Sequence, residues 1–200
     1  NNYVRALCYQ LFENNGVMKR ESVQQTIKNI SKEDRSSLRK AGIKIGRYHI
    51  FLPRMLKPSA VNLRVKLWKL YYPNDKKYIV PKYGLNFLKS EVANDKFLLI
   101  CGFENFEKFY VRVDILERLF LKILENSKNS IIKIDSDMIN LIGCTKENFF
   151  KLLELMQYKL KKTGVNKKEF FSYQPKRNEI KIKKNIKKTN KNNPFDKLSE

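Results

Sequence analysis

The sequence predicts a fold that is mainly α with minor β (α+β), because apolar residues recur at helical spacing while strand-like runs are short. Its hydrophobic content of 42% and aromatic content of 12% are typical of a chain with a packed core. Lys and Arg number 42 against 20 acids, a formal net charge of +22. These observations indicate a basic, helix-rich protein of one large or two small domains.

The first half is predicted to form a helical accessory domain over residues 1–72. The expected helices cover residues 3–13, 21–30, 31–42 and 58–72, and two short extended pieces flank Gly46. Ser31 is the expected N-cap of the third helix, and Pro58 suits the first position of the fourth. Residues 73–95 carry Pro and Gly without a sustained period, so they are predicted to be a linker.

The second half is predicted to form a winged-helix-like domain over residues 96–175. Strands are expected at 97–100, 109–113, 131–134 and 170–173, with helices capped by Asp114, Asp135 and Thr145. The order of helix, strand, helix, tight turn at Gly143, helix, basic loop and strand is that of a winged helix. A small helical domain with a stray strand is the alternative. Residues 176–200 are predicted to be a basic, disordered tail.

Catalytic and metal-binding patterns are not found in the sequence. It holds no phosphate-binding GxxxxGK[ST] loop, so no ATP hydrolysis is expected of this segment. His49 lies in an apolar run, which favours a hydrogen-bonded, half-buried imidazole over a general base. The acids Asp114, Glu117, Asp135 and Asp137 lie near helix starts, where capping and the helix dipole account for them. The three cysteines form no CxxC pair and are expected to be buried free thiols, with no zinc site and no cofactor.

Nucleic acid is the partner that the charge favours, since cations follow phosphates and aromatic faces stack on unpaired bases. Within nineteen residues, six cations are interleaved with aromatic residues. The candidate contacts there are Arg39, Lys40, Lys44, Arg47, Tyr48, His49, Arg54 and Lys57. Those of the second half and tail are Lys146, Lys151, Lys159, Lys161, Lys162, Lys176 and Arg177. Two alternatives remain: the aromatics are core and the cations a solvated rim, or the Lys content reflects an AT-rich genome.

Membrane insertion is not expected, because no apolar run approaches the roughly 20 residues that cross a bilayer and no signal-peptide pattern is present. The chain begins at Asn1 without Met and enters an amphipathic pattern at once. It is therefore expected to be a piece of a longer, cytoplasmic protein.

Five blocks in order carry a resemblance to a known family. Residues 38–58 read LRKAGIKIGRYHIFLPRMLKP. They are similar to the LRRxGVRFGxxHIFLPxLLKP block of alphaproteobacterial superfamily-two helicases, the relatives of the mitochondrial-degradosome RNA helicase. Further blocks at 8–16, 63–70, 111–119 and 138–150 also resemble that family. One departure is the family's LGYR, which here reads Met156, Gln157, Tyr158, Lys159.

The resemblance implies a non-catalytic region C-terminal to two motor domains, with ATP and Mg²⁺ bound by those motor domains alone. Its expected partners are single-stranded RNA or DNA and the upstream motor. Two other classes remain open. One is a protein–protein docking module with apolar faces around Trp68 and Phe120; the other is a winged-helix DNA-binding regulator.

Overall fold

The structure is a computed structural model that describes residues 1–73, 80–91, 94–128, 131–162 and 169–174, with only the backbone of Lys128, Lys162 and Glu169. Over these ranges the chain is mixed α and β. Its helices are α1 (Asn2–Glu13), α2 (Gln24–Lys28), α3 (Lys32–Lys40), α4 (Pro58–Tyr71), α5 (Asp95–Ile100), α6 (Val113–Glu125), α7 (Ser136–Ile142) and α8 (Lys146–Leu155). Short 3₁₀ turns cover Arg20–Val23 and Pro53–Leu56.

The strands are short and pair antiparallel. They are β1 (Val17–Lys19), β2 (Lys44–Ile45), β3 (His49–Phe51), β4 (Phe87–Lys89), β5 (Phe103–Phe106), β6 (Phe109–Arg112), β7 (Ser127–Lys128), β8 (Ile131–Lys133), β9 (Tyr158–Lys162) and β10 (Glu169–Tyr173). Within the described ranges they form sheets of order β1-β3-β2, β4-β6-β5 and β7-β8-β10-β9. The β7-β8-β10-β9 sheet packs against α6, α7 and α8 through one hydrophobic cluster.

Several helix starts follow the predicted capping chemistry. The Ser31 hydroxyl accepts a hydrogen bond from the backbone N–H of Asp34 at 3.1 Å, and Thr145 accepts from Asn148 at 3.3 Å. Pro58 occupies the first turn of α4, as predicted. The predictions of α1, α3, α4, α6, α7 and α8 are thus confirmed to within a few residues.

One predicted cap is wrong, and another is confirmed only in its position. Asp114 lies inside the first turn of α6, where it pairs with the Arg112 guanidinium at 2.7 Å instead of capping the helix. Asp135 does stand at the N-cap of α7, but its side chain accepts no helix N–H and is instead bonded by the hydroxyl of Ser136.

Other elements differ from the prediction. Residues 97–100, predicted as a strand, belong to α5, since the Asn94 side chain caps this turn through the N–H of Phe97 at 3.1 Å. The predicted basic loop after α8 begins as β9. The predicted helix at 21–30 divides into a 3₁₀ turn and α2. Strands β1, β4, β5 and β7 have no counterpart in the prediction.

Helix α4 buries only part of its apolar sequence. The helix buries Val61, Arg64 and Val65, while Leu63 and Leu67 face solvent. The Arg64 guanidinium donates through its two terminal nitrogens to the backbone oxygens of Asn15 and Met55, while its buried Nε has no partner among the described residues.

The two largest hydrophobic clusters lie within one half of the chain each, and two smaller clusters cross its midpoint. One cluster joins Val61 and Val65 of α4 to Phe97, Phe103 and Tyr110. Another joins Val17, Phe51 and Val113. Within the interval 73–95, residues 87–89 form β4, which pairs with β6. The predicted domain boundaries stay a prediction, but the two halves share apolar contacts.

The structure also bears on the cysteines and on membrane-spanning helices. The cysteines are free thiols, and Cys8 is exposed rather than buried as predicted. Within the described ranges, no helix is long and apolar enough to cross a bilayer.

Candidate nucleic-acid interface

A groove of about 400 Å³ opens between the β1-β3-β2 sheet and the C-terminal segment. We call it the central groove. Its polar lining is Lys19, Arg20, Glu21, Gln24, Arg47, His49, Glu104 and Gln157, and its aromatic lining is Tyr48, Phe106 and Tyr173. Leu155 and Met156 complete it. Cations, two carboxylates, amides and aromatic rings therefore line one depression.

The turn between β2 and β3 is held from below by a buried carboxylate. Glu117 of α6 is 3% exposed and accepts the backbone N–H groups of Arg47, Tyr48 and His49 at 2.6, 2.8 and 2.9 Å. A Cβ on Gly46 would stand 2.3 Å from the Glu117 Cδ, so only glycine fits at this position. The carboxylate fixes the turn because three charge-assisted hydrogen bonds converge on it.

A second buried carboxylate connects the sheet to β5. The His49 Nε2 lies 2.8 Å from Glu104 Oε2, and the Lys19 Nζ lies 2.5 Å from Glu104 Oε1. The His49 Nδ1 is 3.8 Å from Glu117 Oε1, which is an ion-pair distance too long for a hydrogen bond. His49 thus sits between two carboxylates supplied by the other half of the chain.

These contacts move the pKa of each group. Burial alone lowers the pKa of His49, but the hydrogen bond with Glu104 and the charges of both carboxylates outweigh it and raise that pKa above 6.5. Burial would raise the pKa of Glu104, yet His49 and Lys19 bring it below 4.5. The pKa of Glu117 is likewise lowered, since His49 and the three backbone N–H groups outweigh burial. Both carboxylates are therefore charged, and neither is a proton donor near neutral pH.

Arg47 projects from the turn that Glu117 holds. Its guanidinium carbon lies 5.8 Å from the Phe120 ring centroid, and within the described part of the chain it makes no ion pair. Beneath it, the Tyr48 ring meets Phe120 edge-on at 5.7 Å. Burial raises the pKa of Tyr48, so its hydroxyl stays neutral. Arg20 is tied to the same turn, because its Nη1 donates to the oxygen of Gly46 at 2.7 Å.

The far wall of the central groove contains a strained residue. Gln157 has φ of 71°, in the left-handed region that side chains other than glycine rarely adopt. Its backbone is held on both sides, since its N–H donates to Glu154 and its oxygen accepts from Gln174. Tyr173 lies next to it, 44% exposed and packed at 5.2 Å on Tyr158.

The predicted contact residues divide between this groove and the outer surface. Arg47 and Tyr48 line the groove. Most of the others are exposed elsewhere: Arg39, Lys40, Lys44, Arg54, Lys57, Lys146, Lys151, Lys159 and Lys161. The side chain of Lys162 lies outside the described residues, as do Lys176, Arg177 and the predicted tail.

His49 differs most from its prediction as a nucleic-acid contact. At 1% exposure, it is more deeply buried than predicted, and its ring is engaged with Glu104. The prediction that the start of its own helix accounts for Glu117 is also wrong. The Glu117 carboxylate accepts hydrogen bonds from the turn between β2 and β3.

Sequence reasoning missed Lys19, Arg20, Gln24, Phe106, Gln157 and Tyr173. They come from four separate stretches of the chain, so no local spacing joins them. Among the described residues, no group of His, Cys, Asp and Glu is arranged to hold a metal ion.

Comparison with known proteins gives no match, whether to a family model, to a curated protein or to a solved structure. The resemblance to helicases therefore stays a prediction.

Proposed function

We propose that this chain is a non-catalytic nucleic-acid-binding region, the C-terminal accessory part of an ATP-dependent helicase. Its partners would be single-stranded RNA or DNA and the upstream motor domains, which alone would hold ATP and Mg²⁺. The central groove carries the proposal, because it combines Arg47 and Arg20, which make no ion pair among the described residues, with aromatic rings in a chain of net charge +22. Cations and rings together suit a strand with accessible bases.

The arrangement of the second half supports the proposal. Helix α6, strand β8, helices α7 and α8, and the β9–β10 pair follow the order of a winged helix, with β10 between β8 and β9 in the sheet. Lys159 and Lys161 alternate with the inward Tyr158 and Leu160 along β9, so both cations face outward. We assign the winged-helix-like domain to this segment on that basis.

A catalytic role has no support in the central groove. Glu104, His49 and Glu117 are buried and committed to one another and to the turn. The lowered pKa of each carboxylate leaves it ionised, which suits structural pairing and not proton donation. Arg47 remains available to a phosphate.

Fluorescence anisotropy with a single strand of about 12 nucleotides tests the proposal. If about six phosphates are neutralised, log affinity should fall against log salt with a slope of about −4 between roughly 50 and 200 mM salt. Arg47→Ala should weaken binding, whereas Lys32→Ala, an exposed cation away from the groove, should change it little. No binding, or binding indifferent to salt, would remove the proposed function.

A docking module is the second candidate, and α4 favours it. Its outward side exposes Leu63, Leu67, Leu70 and Tyr71 to between 54% and 79%. These positions repeat at helical spacing, so they form one apolar face. This face flanks Trp68, one of the two residues around which docking is predicted, while Trp68 itself packs against Phe97 at 5.9 Å. Phe120, the other, is half-buried and meets the Tyr48 ring at 5.7 Å.

Two variants separate the candidates. A chain ending at Gln174 loses nine basic and three acidic residues, so its charge falls from +22 to +16. Strand binding should weaken while docking to a motor domain persists. The double variant Leu67→Glu, Leu70→Glu should weaken docking to a motor domain and leave strand binding unchanged.

A DNA-binding regulator receives less support. The exposed side of α8 carries two Lys and two Glu, so it has no net charge.

A further inference from the structure

We infer that the central groove receives one unpaired base of the bound strand, with Gln157 as its hydrogen-bonding partner and Arg47 as the ligand of the adjoining phosphate. This inference rests on the proposed function and narrows it. The proposed function needs only salt-dependent contact with the backbone, whereas the groove would add recognition of the base itself.

The size of the groove suits a single nucleotide. Its volume is about 400 Å³, which lies toward the low end of the roughly 300 to 1,000 Å³ of small-molecule sites. A paired base is stacked on both faces, and its hydrogen-bonding edge is occupied. A base that enters such a depression is therefore an unstacked one.

Gln157 has the chemistry of a ligand-binding residue and a backbone fixed by the end of α8. Its side chain lines the groove, and its amide makes no hydrogen bond within the described part of the chain. One amide offers both a donor and an acceptor, the pair of groups that the edge of a base presents. Its φ of 71° follows from its place directly after the C-cap of α8, where a left-handed residue commonly ends a helix, so the backbone is fixed by the helix end.

The opposite wall is organised before any ligand arrives. Glu117 holds the 47–49 backbone through three hydrogen bonds, and Arg20 holds Gly46. Arg47 therefore extends from a fixed turn, and its guanidinium lies over Phe120 without a carboxylate partner in the described ranges. A guanidinium placed in this way is suited to bind a phosphate through two parallel hydrogen bonds.

An aromatic surface completes the site. Tyr173 is 44% exposed and rests on Tyr158, so its ring is supported from behind while one part is open to solvent. Phe106 contributes a second, half-buried ring to the lining. A site for phosphate alone would need neither ring nor amide, which is why a base is the better occupant.

The test compares two strands that differ only in their bases. The full chain is titrated by anisotropy with an oligothymidylate of about 12 nucleotides and with an abasic strand of equal length and charge. The thymidylate should bind about tenfold more tightly, since its bases can stack on the aromatic rings of the groove and the abasic strand has none. Gln157→Gly and Tyr173→Ala should each reduce this preference, and Arg47→Ala should weaken both strands alike.

The matched control is Asn15→Gly. Asn15 also has a positive φ, 54°, but it lies outside the groove, so both glycine variants relieve backbone strain and only one removes a groove amide. Thermal unfolding should show Gln157→Gly to be as stable as the wild type or more so.

Equal binding of the two strands, with a normal salt slope, would overturn the inference and leave the proposed function standing. An unchanged preference in Gln157→Gly would overturn the role of Gln157. Absence of binding to either strand would remove both proposals together.

Discussion

Glu117 shows how one buried side chain organises a surface feature. Burying its carboxylate removes the charge from water, which is unfavourable. Three backbone N–H groups and the nearby His49 offset this desolvation. Leaving those donors unpaired would be equally costly. The shape of the 46–49 turn, and hence the position of Arg47, depends on this one residue.

The first prediction concerns Gly46, which stands against that carboxylate. Gly46→Ala would place a Cβ 2.3 Å from the Glu117 Cδ, so α6 or the turn must move and the hydrogen bonds must lengthen. We expect a loss of about 2 to 4 kcal/mol in the free energy of unfolding. Urea denaturation followed by circular dichroism measures it.

Gly42→Ala is the control for that measurement. Gly42 has φ of 90°, but no atom lies within 4 Å of the position that a Cβ would take there. Alanine at this position therefore carries backbone strain of roughly 1 to 2 kcal/mol without a clash. Equal losses in the two variants would mean that Glu117 does not require glycine at position 46.

The second prediction is a pH dependence centred on His49. Its folded-state pKa is raised above 6.5, so its stabilising contribution is complete below pH 6.5 and is lost as pH rises through the folded-state value. Glu104 and Glu117 have lowered pKa values, so their contribution is present above pH 4.5 and is lost on acidification. Stability should therefore decline on both sides of the interval from 4.5 to 6.5.

Urea midpoints measured from well below pH 4.5 to well above pH 6.5 provide the check. His49→Gln keeps an N–H donor near Glu104 but cannot titrate, so the decline above pH 6.5 should become shallower in that variant. A variant whose alkaline limb matches the wild type would show that His49 is not the titrating group.

Sequence reasoning reached part of this site. The apolar neighbours of His49 correctly indicate a hydrogen-bonded imidazole, but its partners lie 55 and 68 positions away along the chain. Local spacing attributes Glu117 to the start of its own helix, because that spacing is the only context a single sequence supplies. Which turn a helix faces is decided by tertiary packing.

The sequence predicts the helices of this chain more reliably than its strands, because the helices are longer. α6 repeats its apolar positions over 13 residues, which is ample signal for its period. The strands β1 and β3 have three residues each, too few to show an alternation. α5 has six residues and an apolar run, so its pattern resembles a strand and only the Asn94 cap identifies it as a helix.

The third prediction compares two helix caps that the sequence pattern does not distinguish. Thr145 bonds the N–H of Asn148, whereas Asp135 bonds no N–H of α7. Thr145→Ala should therefore cost about 1 kcal/mol in the free energy of unfolding. Asp135→Ala should cost clearly less, and urea denaturation of the pair at neutral pH measures the difference. A larger loss at Asp135 would contradict these cap assignments.

At the scale of the whole molecule, the two halves are joined by both charge and apolar contact. In the second half, Glu104 pairs with Lys19 and His49 of the first half. Glu117 accepts hydrogen bonds from the 47–49 backbone of the first half. The cluster around Val61 and Phe97 adds apolar contact. No composition shift in the sequence could reveal this, because a Pro- and Gly-containing interval is typical of a linker and of a surface connection alike.

The fourth prediction follows from that shared interior. Residues 1–90 and 91–200, expressed separately, should each lack a cooperative unfolding transition, because the first fragment exposes Phe51 and Val65 and the second retains Glu117 without its partners. In the intact chain, fluorescence of Trp68, which packs on Phe97 across the midpoint, should change together with circular dichroism during urea unfolding. A chain ending at Gln174 serves as the control and should keep the midpoint of the full chain. Two separated transitions in the intact chain, or a stably folded 91–200 fragment, would mean that the halves are independent domains and that the central groove is not a fixed feature between them.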